Sequence, residues 1–93
     1  MELFFDWDPQ KAVLNERKHG ISFNEAATVF SDRQLLVMSD PKHLEDEERF
    51  LAIGMSSRQQ LLLVVAKDLS DHRLRLISAR KTTATERKSY EQR

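Results

Sequence analysis

Residues 61–66 read Leu-Leu-Leu-Val-Val-Ala, the longest unbroken apolar run in the chain. A strand with one wet face alternates apolar and polar side chains. This run does not, so it predicts a strand covered on both faces, near the centre of a sheet. On its N-terminal side, Ser56–Gln60 can turn a hairpin back to a strand over Arg49–Met55. On its C-terminal side, Leu69-Ser70-Asp71-His72 reads as a turn before a last strand, Arg73–Ala79. Leu35–Met38 supplies a further short strand, closed by Ser39-Asp40-Pro41, and Glu2–Asp6 supplies the first.

Helix signals flank this β-rich middle. Asp8-Pro9 is a helix start: the carboxylate can accept orphan N–H groups, and proline at the first helical position lacks only a donor the helix does not use. Lys18-His19-Gly20 reads as its end, with cations at the negative pole of the dipole and glycine free to turn left-handed. Ser22-Phe23-Asn24-Glu25 is a capping-box pattern, and Phe23, Ala26, Ala27 and Phe30 form one apolar stripe, so a second helix should run to Ser31-Asp32. Thr83-Ala84-Thr85-Glu86 is a second capping box and predicts a short helix from about Ala84 to the C-terminus. The expected fold is α+β, with an N-terminal strand and two helices packed on a mainly antiparallel sheet and a short C-terminal helix.

Ninety-three residues with 40% apolar content suit one domain spanning 1–93. The N-terminus carries two acids within six residues and no basic segment, which argues against a signal peptide. Six apolar residues in a row fall far short of a membrane span, and there is no cysteine to form a disulfide or a thiolate zinc site. A cytoplasmic protein is expected. The formal net charge is zero, yet His72–Arg93 holds seven Lys or Arg against two acids, leaving the rest of the chain at −5. Acids are densest in Asp40–Glu48. Such a dipolar domain can meet an anion with one region and a cationic partner with another.

Three groups of residues carry a family likeness. Phe5-Asp6-Trp7-Asp8-Pro9, Lys11-Ala12, Asn15, Lys18 to Phe23, Glu25-Ala26 and Val29-Phe30 resemble the opening signature of the BrnT toxins. Glu47-Glu48-Arg49-Phe50 with Ile53-Gly54 and Ser56 is similar to that family's middle motif. Arg75 to Lys81, with Thr83, Glu86, Arg87 and Tyr90, is similar to its closing motif. One departure stands out: Gln59-Gln60 occupies the place where many members carry Gly-Arg, and the nearby arginine is Arg58. The resemblance implies a bacterial type II toxin with a RelE-like ribonuclease fold, cleaving RNA to arrest growth. It also implies neutralisation by a DNA-binding antitoxin of the BrnA type, so that operator DNA is reached only through the antitoxin.

Metal-free RNA cleavage needs a base for the 2′-hydroxyl, an acid for the leaving 5′-oxygen, and fixed cations for the charged transition state. His19, His43 and His72 are too scattered to announce a metal site, so neither metal nor cofactor is expected. Arg80 is the first candidate for electrostatic stabilisation, because its planar fork can hold two phosphate oxygens from the end of a strand. Its alternative is a salt bridge to Glu48 or Glu86. Arg49 is the second candidate, with pairing to an acid as its alternative. His19 carries an imidazole, a side chain suited to proton transfer, or it can simply cap the first helix. Trp7 can stack on a base or fill the core. Lys18, Arg75, Lys81 and Arg87 complete the candidate RNA contacts. The acidic 40–48 connection would repel RNA; it can guide a basic antitoxin segment, bound an RNA groove, or serve only solubility. A non-catalytic module that binds an antitoxin and joins operator autorepression is the competing class of reading, with a plain structural domain behind it.

Overall fold

The computed structural model describes residues 2–93. Leu61–Asp68 is the middle strand of a five-stranded sheet. In chain order the strands are β1 (Phe4–Asp6), β2 (Leu36–Ser39), β3 (Arg49–Met55), β4 (Leu61–Asp68) and β5 (Arg73–Lys81). Their order across the sheet is β1-β5-β4-β3-β2. All neighbours are antiparallel except β1, which lies parallel to β5 with Phe4 beside Arg73 and Asp6 beside Arg75. The central position of β4 explains its composition, since Leu61 to Val64 are all buried.

Three helices complete the α+β fold: α1 (Pro9–His19), α2 (Phe23–Ala27) and α3 (Ala84–Glu91). The caps form where the sequence places them. The Asp8 carboxylate accepts from the Gln10 N–H, Pro9 opens α1, and Gly20 closes it at φ 72°. At α3, Thr83 and Glu86 satisfy one another's backbone donors reciprocally.

The second helix differs from expectation. Ser22 caps Glu25, but the helix stops at Ala27 and tightens into a 3-10 turn over Thr28–Ser31. The Thr28 hydroxyl donates to the Glu25 carbonyl at 2.6 Å. Such back-bonding by a β-branched residue competes with the regular ladder. The Glu25 carboxylate does not return to the cap either. It is buried, and one oxygen accepts both the Ser56 hydroxyl and the Gln60 amide, each at 2.7 Å.

The sheet divides the molecule. On one face, Leu62, Val64, Ala66, Leu76 and Ala79 meet Ile21, Phe23, Ala26 and Val29 in the main core. Asn15 ties α1 to β5 within it: its amide donates to the Ile21 and Ala79 carbonyls and its oxygen accepts the Ala79 N–H, all at 2.9–3.0 Å. Gly54 lies where the 3-10 turn comes closest to the sheet. A Cβ there would stand 2.8 Å from Leu35 Cδ1 and 3.1 Å from the Val29 carbonyl oxygen. On the other face a smaller cluster of Ile53, Leu61 and Leu63 is covered by Tyr90 of α3.

Candidate functional site: a cationic sheet face bordered by the C-terminal helix

Cross-strand register assigns side chains to faces. Arg49 pairs with Lys67, Lys67 with Arg75, and Arg80 with Leu63. Side chains alternate along each strand. Arg49, Lys67, Arg73, Arg75 and Arg80 therefore share the face on which α3 lies. Keeping them together takes one device: an extra residue, Ile77, where the β4–β5 register shifts opposite Val65 and Ala66. Without that bulge, Arg80 would project to the same face as Leu76 and Leu74, inside the main core.

Each of these cations has a carboxylate partner. Arg80 makes a two-pronged bond to Glu86, 2.9 Å on both arms, and donates to the Lys81 carbonyl at 3.1 Å. Hydrogen bonding from Arg80 holds the Glu86 carboxyl below its usual range against the opposing effect of burial, and the bond raises Arg80 in turn. Arg49 reaches the buried Asp40 at 3.1 Å. Arg75 and Arg73 share Asp6 at 3.0 and 3.5 Å, and the Arg75 bond chiefly lowers the Asp6 carboxyl. Lys67 lies 3.5 Å from Asp46 and 3.7 Å from Glu48. Apart from Arg49 with the buried Asp40, these pairs are half-exposed or exposed, so an incoming anion can exchange with their carboxylates without moving the backbone.

α3 forms the wall of this face. None of its residues is buried. It is held instead by directed polar contacts: the Tyr90 hydroxyl donates to Asp32 at 2.6 Å, and Arg93 stacks on the Tyr90 ring and reaches the Leu35 and Gln34 carbonyls. Burial and the negative Asp32 raise the Tyr90 phenol. Burial alone would raise Asp32 too, but the bonds it accepts from Tyr90, Met55 and Gln34 outweigh it and lower that carboxyl.

The sequence candidates divide between the two sides. Arg49 and Arg75 flank Lys67 in one cross-strand row, Arg80 lies on the same face further along β5, opposite Leu63, and Arg87 lies exposed on α3, 3.7 Å from Glu91. Trp7 packs edge-on against Phe23, ring centres 5.8 Å apart, on the main-core side. Lys18 and His19 sit on the last turn of α1, whose contacts are with the core face of β5. Among the described residues, no hydrogen bond or ion pair joins His19 to either arginine. Lys81 is exposed and, opposite Leu62, falls on the core-face side. Gln60 is tied into the Glu25 network, while Arg58 stands exposed beside the left-handed Gln59.

Sequence reasoning missed Asp6, Asp32, Asp40, Lys67 and Arg73. Partial signals existed: Arg73 shares the alternation of Arg75, and Asp6 stands inside the Phe5–Pro9 motif. The long-range pairs that give these residues meaning have no local signature. Among the described residues, no group of His, Asp or Glu converges in a metal-binding arrangement.

Comparison with known proteins identifies the fold and the family. No curated protein matches the chain. The fold is similar to that of the Brucella abortus ribonuclease toxin BrnT, solved by crystallography at 1.1 Å resolution. The TM-score is 0.69 at 23% identity, over 88% of this chain and 99% of that one. Residues 7–86 match the family described as the ribonuclease toxin, BrnT, of type II toxin–antitoxin systems. That match takes in every strand after β1, α1 and α2, and the start of α3, so the chain belongs to the BrnT ribonuclease toxin family.

Proposed function

We propose that this chain is an active endoribonuclease toxin of the cytoplasm, a single domain over 1–93, using metal-free electrostatic and acid–base catalysis and neutralised by a BrnA-type antitoxin. The observation that carries the reading is the alignment of Arg49, Lys67, Arg73, Arg75 and Arg80 along one sheet face, with α3 lying over the Arg80 end. RNA phosphate exchanges with Glu86 on the Arg80 fork, which then stabilises the charge developing on the transition-state oxygens. Glu86, released but still ionised at neutral pH, is placed to accept a proton. Arg49 and Arg75 hold flanking phosphates, with Arg87 contributing from α3. Trp7, Lys18, His19 and Lys81 lie on the other side, and any contact they make belongs to RNA wrapping past the sheet edge.

The test is inducible expression in a bacterial host of the intact chain beside Arg80→Ala and Arg49→Ala. The intact chain should arrest growth with loss of RNA. Arg80→Ala should relieve the arrest at equal protein level while shifting the melting temperature little, because a partly exposed ion pair adds about 1 kcal/mol or less. Harmless expression of the intact chain, together with RNA left intact by the purified protein with and without ribosomes, would sink the nuclease reading.

A further inference from the structure

The face opposite the cationic site carries a groove of about 600 Å³ that the nuclease reading does not use. Its floor is apolar and partly aromatic: Phe30 and Phe50 meet edge-to-face at 6.3 Å, with Leu35 and Val37 beside them. Its rim is acidic, formed by Glu47, Glu48 and Asp68. Lys67 touches Glu48 at 3.7 Å, and among the described residues neither Glu47 nor Asp68 has a cationic partner. Its lining runs as far as Val37 of β2, the edge strand, whose outer side carries no further strand among the described residues. Val37, which lines the groove, is 55% exposed.

An unpaired edge with backbone donors and acceptors is a template for an added strand. A strand laid on β2 would place alternate side chains on the groove side, level with Val37. The groove favours two kinds there: an apolar side chain on the Phe30–Phe50 floor, and a Lys or Arg directed at the acidic rim, with Glu47 as its nearest unpaired carboxylate. RNA is disfavoured, because its phosphates would meet the same acids. We infer that the groove and the β2 edge together dock an extended segment of the antitoxin in which apolar and basic side chains alternate on one face. The inference rests on the antitoxin-binding reading above and adds the surface and the chemistry of the segment. It leaves the cationic face free for a separate part of the antitoxin.

The experiment titrates the purified cognate antitoxin into the intact toxin and into three variants. These are Val37→Arg, the double variant Glu47→Lys/Glu48→Lys, and Leu14→Glu on the exposed apolar side of α1 as a control. Docking predicts that Val37→Arg and the charge reversal each weaken the complex at least tenfold with melting near that of the intact chain, while Leu14→Glu binds normally. Amide exchange at 36–39 should slow in the complex, and added salt should weaken the intact pair more than the charge-reversed one. If the complex forms with unchanged affinity in both groove variants, or only Leu14→Glu breaks it, the docking surface is wrong while antitoxin binding stands. If no complex forms at all, the antitoxin reading falls and this inference with it. A toxin dimer in the absence of antitoxin, abolished by Val37→Arg, would assign the groove to a second copy and overturn the inference.

Discussion

The two faces of the sheet are held by different physics. Under α1 and α2, contact is mostly apolar: Phe23, Ala26, Val29, Leu62 and Val64 are almost wholly buried, and Asn15, whose side chain reaches across to β5, has its bonds satisfied. Under α3 the apolar cluster is small, the covering helix buries no residue, and the contact depends on Tyr90–Asp32, Arg80–Glu86 and Arg93. Apolar burial is non-directional and hard to undo locally, whereas exposed polar contacts can be exchanged for solvent or ligand at small cost. The first face fixes the fold. The second is arranged so that its contacts can be traded.

Four measurements would break or sharpen that contrast. Phe23→Ala should cost about 3–5 kcal/mol in denaturant unfolding, as expected for an aromatic removed from a packed core. A loss below 1 kcal/mol would show that the core face is not the dominant one. Asn15→Ala should come next, since it strands the Ala79 N–H and two carbonyls; each orphaned group costs about 1–3 kcal/mol, partly relieved by entering water. Tyr90→Phe should lower global stability by only about 1 kcal/mol. Amide exchange over 84–91 should nevertheless accelerate much more than exchange in β4. Equal acceleration in both elements would mean that α3 and the core open together.

The fourth measurement is pH. Glu86 and Asp32 have folded-state pKa values below their ordinary ones, so their contribution is present above the carboxylate range and fades as pH falls through the lowered values. Tyr90 is raised, so its contribution is present below the ordinary phenol pKa and is lost as pH rises through the raised value. The attachment of α3 should therefore weaken at both extremes while the main core persists. Ultraviolet titration of the sole tyrosine, with exchange measured over α3 and β4, checks it.

Much of the fold was legible because its signals are local. Asp8-Pro9, Gly20 and the Thr83–Glu86 box mark helix ends through bonds spanning a few residues, and Leu61–Ala66 announces its central place by lacking a polar face. The second helix was drawn too long because an apolar stripe fits an α-helix followed by a 3-10 turn almost as well as a continuous helix. Its capping glutamate was misassigned because Ser56 and Gln60, far along the chain, compete for the carboxylate. The candidate site was half legible. Arg49, Arg75 and Arg80 could be named from alternation and residue type, but their partners Asp40 and Asp6, and the bulge at Ile77 that puts Arg80 on their face, depend on the assembled sheet.

The parallel pairing of β1 with β5 has a consequence during synthesis. Phe4 and Asp6 must wait for Arg73 and Arg75 before they can join the sheet, and Asn15 must wait for Ala79. Contacts this distant in sequence close late in folding. The five cations of the α3 face therefore come into register only after β5 has been synthesised. The order of synthesis thus keeps that face unassembled until its last strand has emerged.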